Sequence, residues 1–485
     1  METTTIILIC IGAYMMLLIA LGLYANKKRT SNSLKDFYLA GGDLGPFVLL
    51  LTLYATQYSS NTMLIVPAEV VNQGMGMILV LGYMTAIVVL YLTFAPQLFK
   101  ISKKYDFITP GDWFDTRFKL PALTLVANVI LVIVSVNFLL SQLIAMGHIA
   151  NGITDGQIPY WAGVIFLAFI VIIYETLGGM RAVAWTDVIQ GLMLLIGLGG
   201  LFFIVVPDVD ELTEISNWLI ENEPEKIGVP SFDFRMYWAS TVLMIGLGGA
   251  VYPQVIQRIY AAKTVKTLKQ SLGAMVFMPL LTVLILFLLG VISIPYFVEA
   301  TETSRDTVLP QMLKIWGQES TLAFVLMIIV ILGLLAAIMS SADSILLSLS
   351  SIISKDILGK SILKNSSDQQ LAKTGKMISW VIMFLIVLVA LQPKITLWGL
   401  IELKMQIMVQ VAPLFILGVH SKRVTSKGML AGLIIGFLFS IITFFMGYKT
   451  LGGIQSGLIA LLLNLIACFV FSCFLPNKLN AAHEN

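Results

Sequence analysis

The sequence predicts an all-α integral membrane protein with about thirteen transmembrane helices, and three observations carry that expectation. Apolar residues make up 58% of the 485-residue chain and charged residues only 12%, with a mean hydropathy of +0.92. Soluble domains carry roughly a quarter charged residues. Apolar segments recur at about 5–24, 46–72, 75–96, 121–147, 160–178, 185–206, 233–256, 270–296, 321–350, 376–392, 396–419, 428–447 and 453–474. Each is near or above the roughly 20 residues needed to cross a bilayer. With the N-terminus outside, most of the 30 lysines and arginines fall in loops on the inner side, as the positive-inside rule requires. The outer side receives only Lys226, Arg235, Arg305, Lys314, Lys394 and Lys449, and Lys404 falls within a span. Dropping or adding one span scrambles this separation.

The first segment, Thr5 to Tyr24, has no basic residue before it and is long enough to span, so it reads as a membrane helix rather than a cleavable signal. Lys27, Lys28 and Arg29 follow it and place its C-terminal end inside. The second span carries Gln57, Tyr58, Ser59, Ser60 and Asn61 at mid-depth. The seventh carries Gly246, Gly248, Gly249 and Pro253, which weaken a helix. Each of these interrupted spans begins a five-helix unit, spans 2–6 and 7–11. Paired broken helices in corresponding positions of two halves point to an inverted-repeat transporter. The expected organisation is a single polytopic domain over 1–485: a peripheral first helix at 5–24, a first repeat at 46–206, a second at 233–419 and two peripheral helices at 428–474. The acidic outer loops 207–232 and 297–320 are expected to form surface helices.

The ninth span holds the densest polar pattern. Ala337, Ser340, Ser341, Ser344 and Ser348 lie at helical spacing on one face of an otherwise apolar run. Such a face must meet protein, water or an ion. Two readings are open: oxygen ligands for a small hard cation, or hydrogen bonding between helices. Cys10, Cys468 and Cys473 lie in apolar segments and imply no disulfide framework, and His148, His420 and His483 show no zinc-type spacing. Tryptophans near the predicted span ends fit an interfacial belt.

Four ordered motifs resemble the sodium/solute symporter family, which includes proline, pantothenate and sugar symporters. LGPFV…A…S…P at 44–67 resembles its first core helix, TPGDWFDTRF at 109–118 its cytoplasmic link, GGMRAVAWTDVIQG at 178–191 its loop-to-helix signature, and AAIMSSADS at 336–344 its hydroxyl-bearing helix. The resemblance covers roughly residues 5–475. It implies a leucine-transporter-like core of five plus five helices with a sodium ion between the second and ninth spans. By motif position, the ligands would be the backbone carbonyls of Ala55, Tyr58 and Ala337 and the hydroxyls of Ser340 and Ser341. Five neutral oxygens suit a monovalent cation, and an unwound helix frees carbonyls. Asp187, Asp343 and Ser344 would form a second sodium site or an exit path, although Asp343 stands where some relatives have serine. The plainer reading has Asp187 capping its helix or pairing with Arg181 or Arg258. Glu175 stands where relatives often carry threonine and has no assigned role.

Substrate contacts are expected from the broken spans and the helices facing them. The candidates are Gln57, Ser59, Ser60 and Asn61 in the second span, Asn137, Phe138, Ser141 and Gln142 in the fourth, Gly248, Gly249 and Tyr252 in the seventh, and Glu402 and Gln406 in the eleventh. Lys404 lies about 200° round the helix from Glu402, so the two do not pair directly. It either snorkels outward or faces the cavity and meets a substrate carboxylate.

The expected function is sodium-coupled symport, as uptake, of a small polar organic solute such as an amino acid or an organic or vitamin-like acid, by alternating access. The alternatives are proton-coupled symport of the same solutes and a transporter-like sensor. An enzyme is disfavoured, because no intramembrane histidine cluster, paired metal ligands or nucleophile–base spacing appears. No cofactor is expected beyond Na+ as coupling ion. The partners are the solute, Na+ and the lipid bilayer, with no nucleic acid, in a monomer or weak homo-oligomer. The expected location is the plasma membrane, multi-pass, with the C-terminus cytoplasmic.

Overall fold

The computed structural model describes residues 3–27, 31, 33–154, 156–205, 209–298, 307–392 and 396–474, without the side chains of residues 3, 4, 26, 60, 61, 204, 205 and 209–211. The fold is mostly helical (85%). In chain order the main helices are α1 (Thr3–Lys27), α2 (Pro46–Gln57), α3 (Ser60–Gln73), α4 (Leu79–Tyr105), α5 (Pro110–Phe118), α6 (Pro121–Ile153), α7 (Tyr160–Val205), α8 (Phe232–Gly249), α9 (Pro253–Ala261), α10 (Val265–Met275), α11 (Met278–Ser293), α12 (Thr321–Ser351), α13 (Asp368–Ala390), α14 (Leu397–Met408), α15 (Ser426–Phe445) and α16 (Ser456–Phe474). Helices also form between the long apolar runs, at Val209–Asn222 and Val308–Trp316. A short antiparallel pair, Thr450–Leu451 with Ile454–Gln455, joins α15 to α16.

Among the described residues, ten helices are long and apolar enough to cross a membrane, or up to eleven if the pair α8 and α9 is one span. This is fewer than the thirteen segments expected, and continuous helix is the reason. The segments expected at 160–178 and 185–206 fall in one helical run, Tyr160–Phe203, of 44 residues. A straight helix of that length covers about 66 Å, roughly twice the hydrocarbon thickness. The run is bent at Gly179, with φ 56° and ψ −153°. A Cβ there would lie 2.6 Å from the Phe37 carbonyl oxygen, so glycine is required both by the backbone and by the close approach.

The two interruptions expected from sequence are present. The first helix of the broken pair, α2, ends at Gln57; Tyr58 and Ser59 leave helical geometry and α3 resumes at Ser60. The N–H groups of Thr62 and Met63 then bond to the Ser59 carbonyl, at 2.9 and 3.1 Å, and the last carbonyls of α2 lose their helical donors. Between α8 and α9 the axis turns by 50°, where Pro253, which lacks an N–H to continue the preceding helix, opens α9 after a three-residue gap. One phenol spans both breaks: the Tyr91 hydroxyl lies 3.0 Å from Gln57 Oε1 and 2.9 Å from the Gly249 carbonyl.

At the centre stands α12. Ser320 caps its first turn, accepting from the Ala323 N–H at 3.1 Å, and every residue from Gly333 to Ser351 is buried. A helix apolar on most sides and buried all round is a core element. The end of α12 is tied to the link helix α5. Thr109 caps α5 in a reciprocal box with Asp112, and Asp112 also pairs with Lys355. Thr109 Oγ1 donates to Asp356 Oδ1 at 2.9 Å. Arg117 donates to the Gly418 and Ser421 carbonyls at 2.8 and 2.7 Å, so α5 straps two segments together. Burial alone would push the Asp112 carboxyl up. The Lys355 ammonium and the N–H groups of Ile108 and Thr109 reverse this and hold it below the usual carboxylate range.

Two outcomes test this account. Gly179→Ala is expected to cost about 1–3 kcal/mol through backbone strain. Gly199→Ala, where an added Cβ meets nothing within 4 Å, is expected to leave the melting temperature unchanged or raised; equal melting temperatures for the two variants would contradict the assignment. Asp112 carries a depressed folded-state value, so its stabilisation is complete above the unfolded value of about 3.9 and is lost as pH falls through the folded value. Asp112→Asn should therefore lower stability at pH 7 by about 1–3 kcal/mol, with a smaller deficit on the acid side. A deficit that is absent at pH 7, or that grows on acidification, would show that the strap does not depend on this charge.

Candidate functional site

The hydroxyl face of α12 meets the broken end of α2. Ser341 Oγ donates to the Thr56 carbonyl at 3.5 Å, in the last turn before the break. Ala55, Tyr58, Ala337, Ser340 and Ser341 are all buried, none more than 1% exposed. Among the described residues, the Tyr58 hydroxyl and Thr56 Oγ1 have no hydrogen-bond partner. Ser340 Oγ turns the other way and donates to Asp187 Oδ1 at 2.5 Å. One turn further along, Ser344 Oγ donates to Asp343 Oδ1 at 3.1 Å, and Asp343 Oδ2 accepts from the Tyr174 hydroxyl at 2.7 Å. The expected second set, Asp187, Asp343 and Ser344, is thus brought together, fully buried.

A guanidinium shares that second set. Arg258 Nη2 donates to Asp187 Oδ2 at 2.9 Å and to Ser344 Oγ at 2.6 Å. Its Nε donates to Thr52 Oγ1 at 2.8 Å, and its Nη1 to the Gln254 carbonyl at 3.1 Å. Thr52 in turn donates to Asp187. Of the two arginines considered for Asp187, Arg258 is the partner; Arg181 pairs with Asp36 at 2.8 Å. Asp187 is therefore neither an exposed cap nor a lone carboxylate.

A separate small cavity lies beside both helix breaks. Of the expected substrate residues, Gln57, Ser59, Phe138 and Tyr252 line it. The side chains of Ser60 and Asn61 lie outside the described residues. Ser141 bonds locally to the Phe138 carbonyl at 2.7 Å, and Gln142 Nε2 to Ser141 Oγ at 3.1 Å; neither lines the cavity. Gly248 packs against Met405 and Val409, and Gly249 presents its carbonyl to Tyr91.

On α14 the two expected residues lie apart from this cavity's lining. Glu402 pairs with Lys449 at 3.1 Å and lines a different cavity, with Glu69 and Tyr237. Gln406 packs against Gly457 of α16. The outward reading of Lys404 does not hold: its side chain is 2% exposed and reaches the central cavity. The roughly 200° between Glu402 and Lys404 puts them on opposite sides, and it is the lysine side that faces the broken helices. Tyr83, Met84 and Met405 also line the cavity and were missed. They sit in ordinary apolar helix, and nothing local distinguishes the cavity face of such a helix from a packed one.

A family model described as the sodium:solute symporter family matches residues 37–436. The osmoregulated proline transporter OpuE of Bacillus subtilis is 26% identical over 99% of this chain and 96% of its own length. A sodium/proline symporter of Staphylococcus aureus is 26% identical over 90% of this chain and 85% of its own. Among solved structures, the substrate-bound outward-open state of a Na+-coupled sialic acid symporter superposes with a TM-score of 0.78 at 19% identity, covering 98% of both chains. Mhp1, a nucleobase-cation-symport-1 family transporter, superposes at 0.54 with 17% identity, over 94% of this chain and 98% of its own. These structural likenesses establish a shared fold. The family match shows that the chain belongs to the sodium:solute symporter family, a family of transporters and not of enzymes.

Proposed function

We propose that this protein is a sodium-coupled secondary active transporter that takes up a small polar organic solute, an amino acid or an organic or vitamin-like acid, by alternating access. The observation that carries the reading is the meeting of the broken end of α2 with the hydroxyls of α12, through Ser341 and the Thr56 carbonyl. Carbonyls released by a helix break, opposite buried hydroxyls, form a neutral oxygen set of the kind a monovalent hard cation takes. In this reading Ala55, Tyr58, Ala337, Ser340 and Ser341 hold one Na+, and the ion joins two helices that move relative to one another in the cycle. Solute affinity then rises with sodium occupancy, and sodium affinity with solute, by the same factor.

The Arg258 contacts favour the exit path over a second ion site for Asp187, Asp343 and Ser344, because a tethered cation already serves Asp187 and Ser344. The topology proposed with this mechanism has thirteen spans, the long helical runs each serving as two. It has leucine-transporter-like repeats over 46–206 and 233–419 beginning at the two breaks, with helices 5–24 and 428–474 peripheral. The N-terminus is outside, the C-terminus cytoplasmic, and the membrane the plasma membrane.

Uptake of labelled L-proline and pyruvate into proteoliposomes is the test, with an inward sodium gradient, an inward proton gradient, or neither. Accumulation under the sodium gradient alone is expected. Ser340→Ala and Ser341→Ala should each raise the sodium concentration for half-maximal uptake tenfold or more, equivalent to about 1.4 kcal/mol. Accumulation driven by protons without sodium would replace the coupling ion, and binding of both solutes without accumulation would favour a sensor. Unchanged sodium dependence in both variants would remove the ligand assignment.

A further inference from the structure

Lys404 is a buried basic side chain with no acid beside it. Its side chain is among the largest that are fully buried, and among the described residues no carboxylate or hydrogen-bond acceptor pairs with its ammonium. The group rests on two aromatic faces instead, 3.4 Å from the Phe138 ring centroid and 5.3 Å from that of Tyr252. Those rings are themselves 5.1 Å apart. Among the described residues the other fully buried cation, Arg258, is matched by Asp187. The acid on the same helix, Glu402, faces away and is held by Lys449. Ring faces attract an ammonium, but they replace only part of the hydration it loses, and a charge in the membrane interior is retained where function uses it.

The cavity that Lys404 enters is one-sided in charge. Among the described residues no acidic side chain lines it; beside Lys404, its polar groups are the Gln57 amide and the hydroxyls of Ser59, Thr62, Tyr83 and Tyr252. The rest is apolar: the Phe138 ring and Met84, Ile87, Ile245, Ile401 and Met405. A zwitterionic amino acid bound there would satisfy Lys404 with its carboxylate and leave its own ammonium beside a second cation with no acid to meet it. A monocarboxylate has no such group: its carboxylate would meet Lys404, and its apolar body would meet the methionine and isoleucine side chains.

We propose that Lys404 is the substrate-recognition cation of this transporter and that the solute is a small monocarboxylate with an apolar body and no fixed positive charge. This rests on the symport reading for the role of the cavity, but its test is separable from sodium coupling. The bound carboxylate supplies the counter-charge that the empty cavity lacks, so the loaded cavity is neutral.

The test is a thermal-shift titration of the purified full-length protein, with and without sodium. The probes are isobutyrate and pyruvate, set against isobutyramide, which matches the first in shape without charge, and L-proline, which adds an ammonium. Saturable stabilisation by a monocarboxylate is expected, with the amide and proline at least tenfold weaker. Lys404→Met should weaken the carboxylate tenfold or more, and Lys404→Arg should recover part of the loss. Proline or the amide binding as tightly as the carboxylates, or carboxylate affinity unchanged in Lys404→Met, would overturn the proposal. So would the absence of any carboxylate response in a protein that sodium stabilises, and in that case the symport reading would stand. A carboxylate response with no sodium dependence would support Lys404 while counting against sodium coupling. If Lys404→Met does not fold, the comparison of the four probes on the unaltered protein decides.

Discussion

The ion pair between Asp187 and Arg258 is the constraint around which the rest of the molecule is arranged. Both side chains are fully buried, at 2.9 Å, and their remaining hydrogen-bonding capacity is spread over α2, α9 and α12 through Thr52, Gln254, Ser340 and Ser344. With Asp187 on α7, four helices share one network. Removing one partner of such a pair costs about 3–5 kcal/mol, because the other charge stays buried alone. The pair therefore holds the hydroxyl face of α12 in register with the broken end of α2. Of the neighbouring oxygen set it engages Ser340 alone, while Ser341 points to α2 rather than to the network.

Around that fixed point the molecule keeps two regions that a helix bundle built only for stability would not need. The breaks in α2–α3 and α8–α9 remove backbone hydrogen bonds at membrane depth, a cost tolerated where the released groups are buried in protein or line a cavity. Tyr91 answers part of that cost by reaching both breaks with one hydroxyl. The broken helices also border the central cavity, through Gln57 and Ser59 on one side and Tyr252 on the other. An ion bound at the first break and a solute in the cavity would thus act on the same segment of chain, which is the physical requirement for coupling. At the opposite end of α12, the Asp112–Lys355 pair and the Arg117 contacts close the bundle.

Much of this was legible in the sequence because it is written in local pattern. The serine face of α12 follows from helical period, and the breaks follow from Gly248, Gly249, Pro253 and the polar run at 57–61. The family resemblance rested on four short motifs and agrees with the family match over 37–436. The count of spans was less legible, since hydropathy marks apolar stretches but does not register that helix continues through the polar residues around Gly179. Side-chain direction was least legible of all. Periodicity put Glu402 and Gln406 on one face of α14 and Lys404 on the other, but which face met the cavity depended on how α14 packs against α6 and α8. Arg258 posed the same difficulty: it was one of two arginines within reach of Asp187 by sequence, and only the packing of α9 against α12 and α2, which carries Arg258 to Asp187, distinguishes them.

The claim on which the account turns is that neutral oxygens at the α2 break and on α12 hold a sodium ion. Equilibrium binding of radioactive sodium to the purified protein, with no solute and no gradient, tests it most directly. The account predicts saturable binding at one site per chain, weakened at least tenfold when both Ser340 and Ser341 are replaced by alanine and retained when Lys404 is replaced by arginine. Saturable binding that is indifferent to the two serines, or no saturable binding at all, would contradict it.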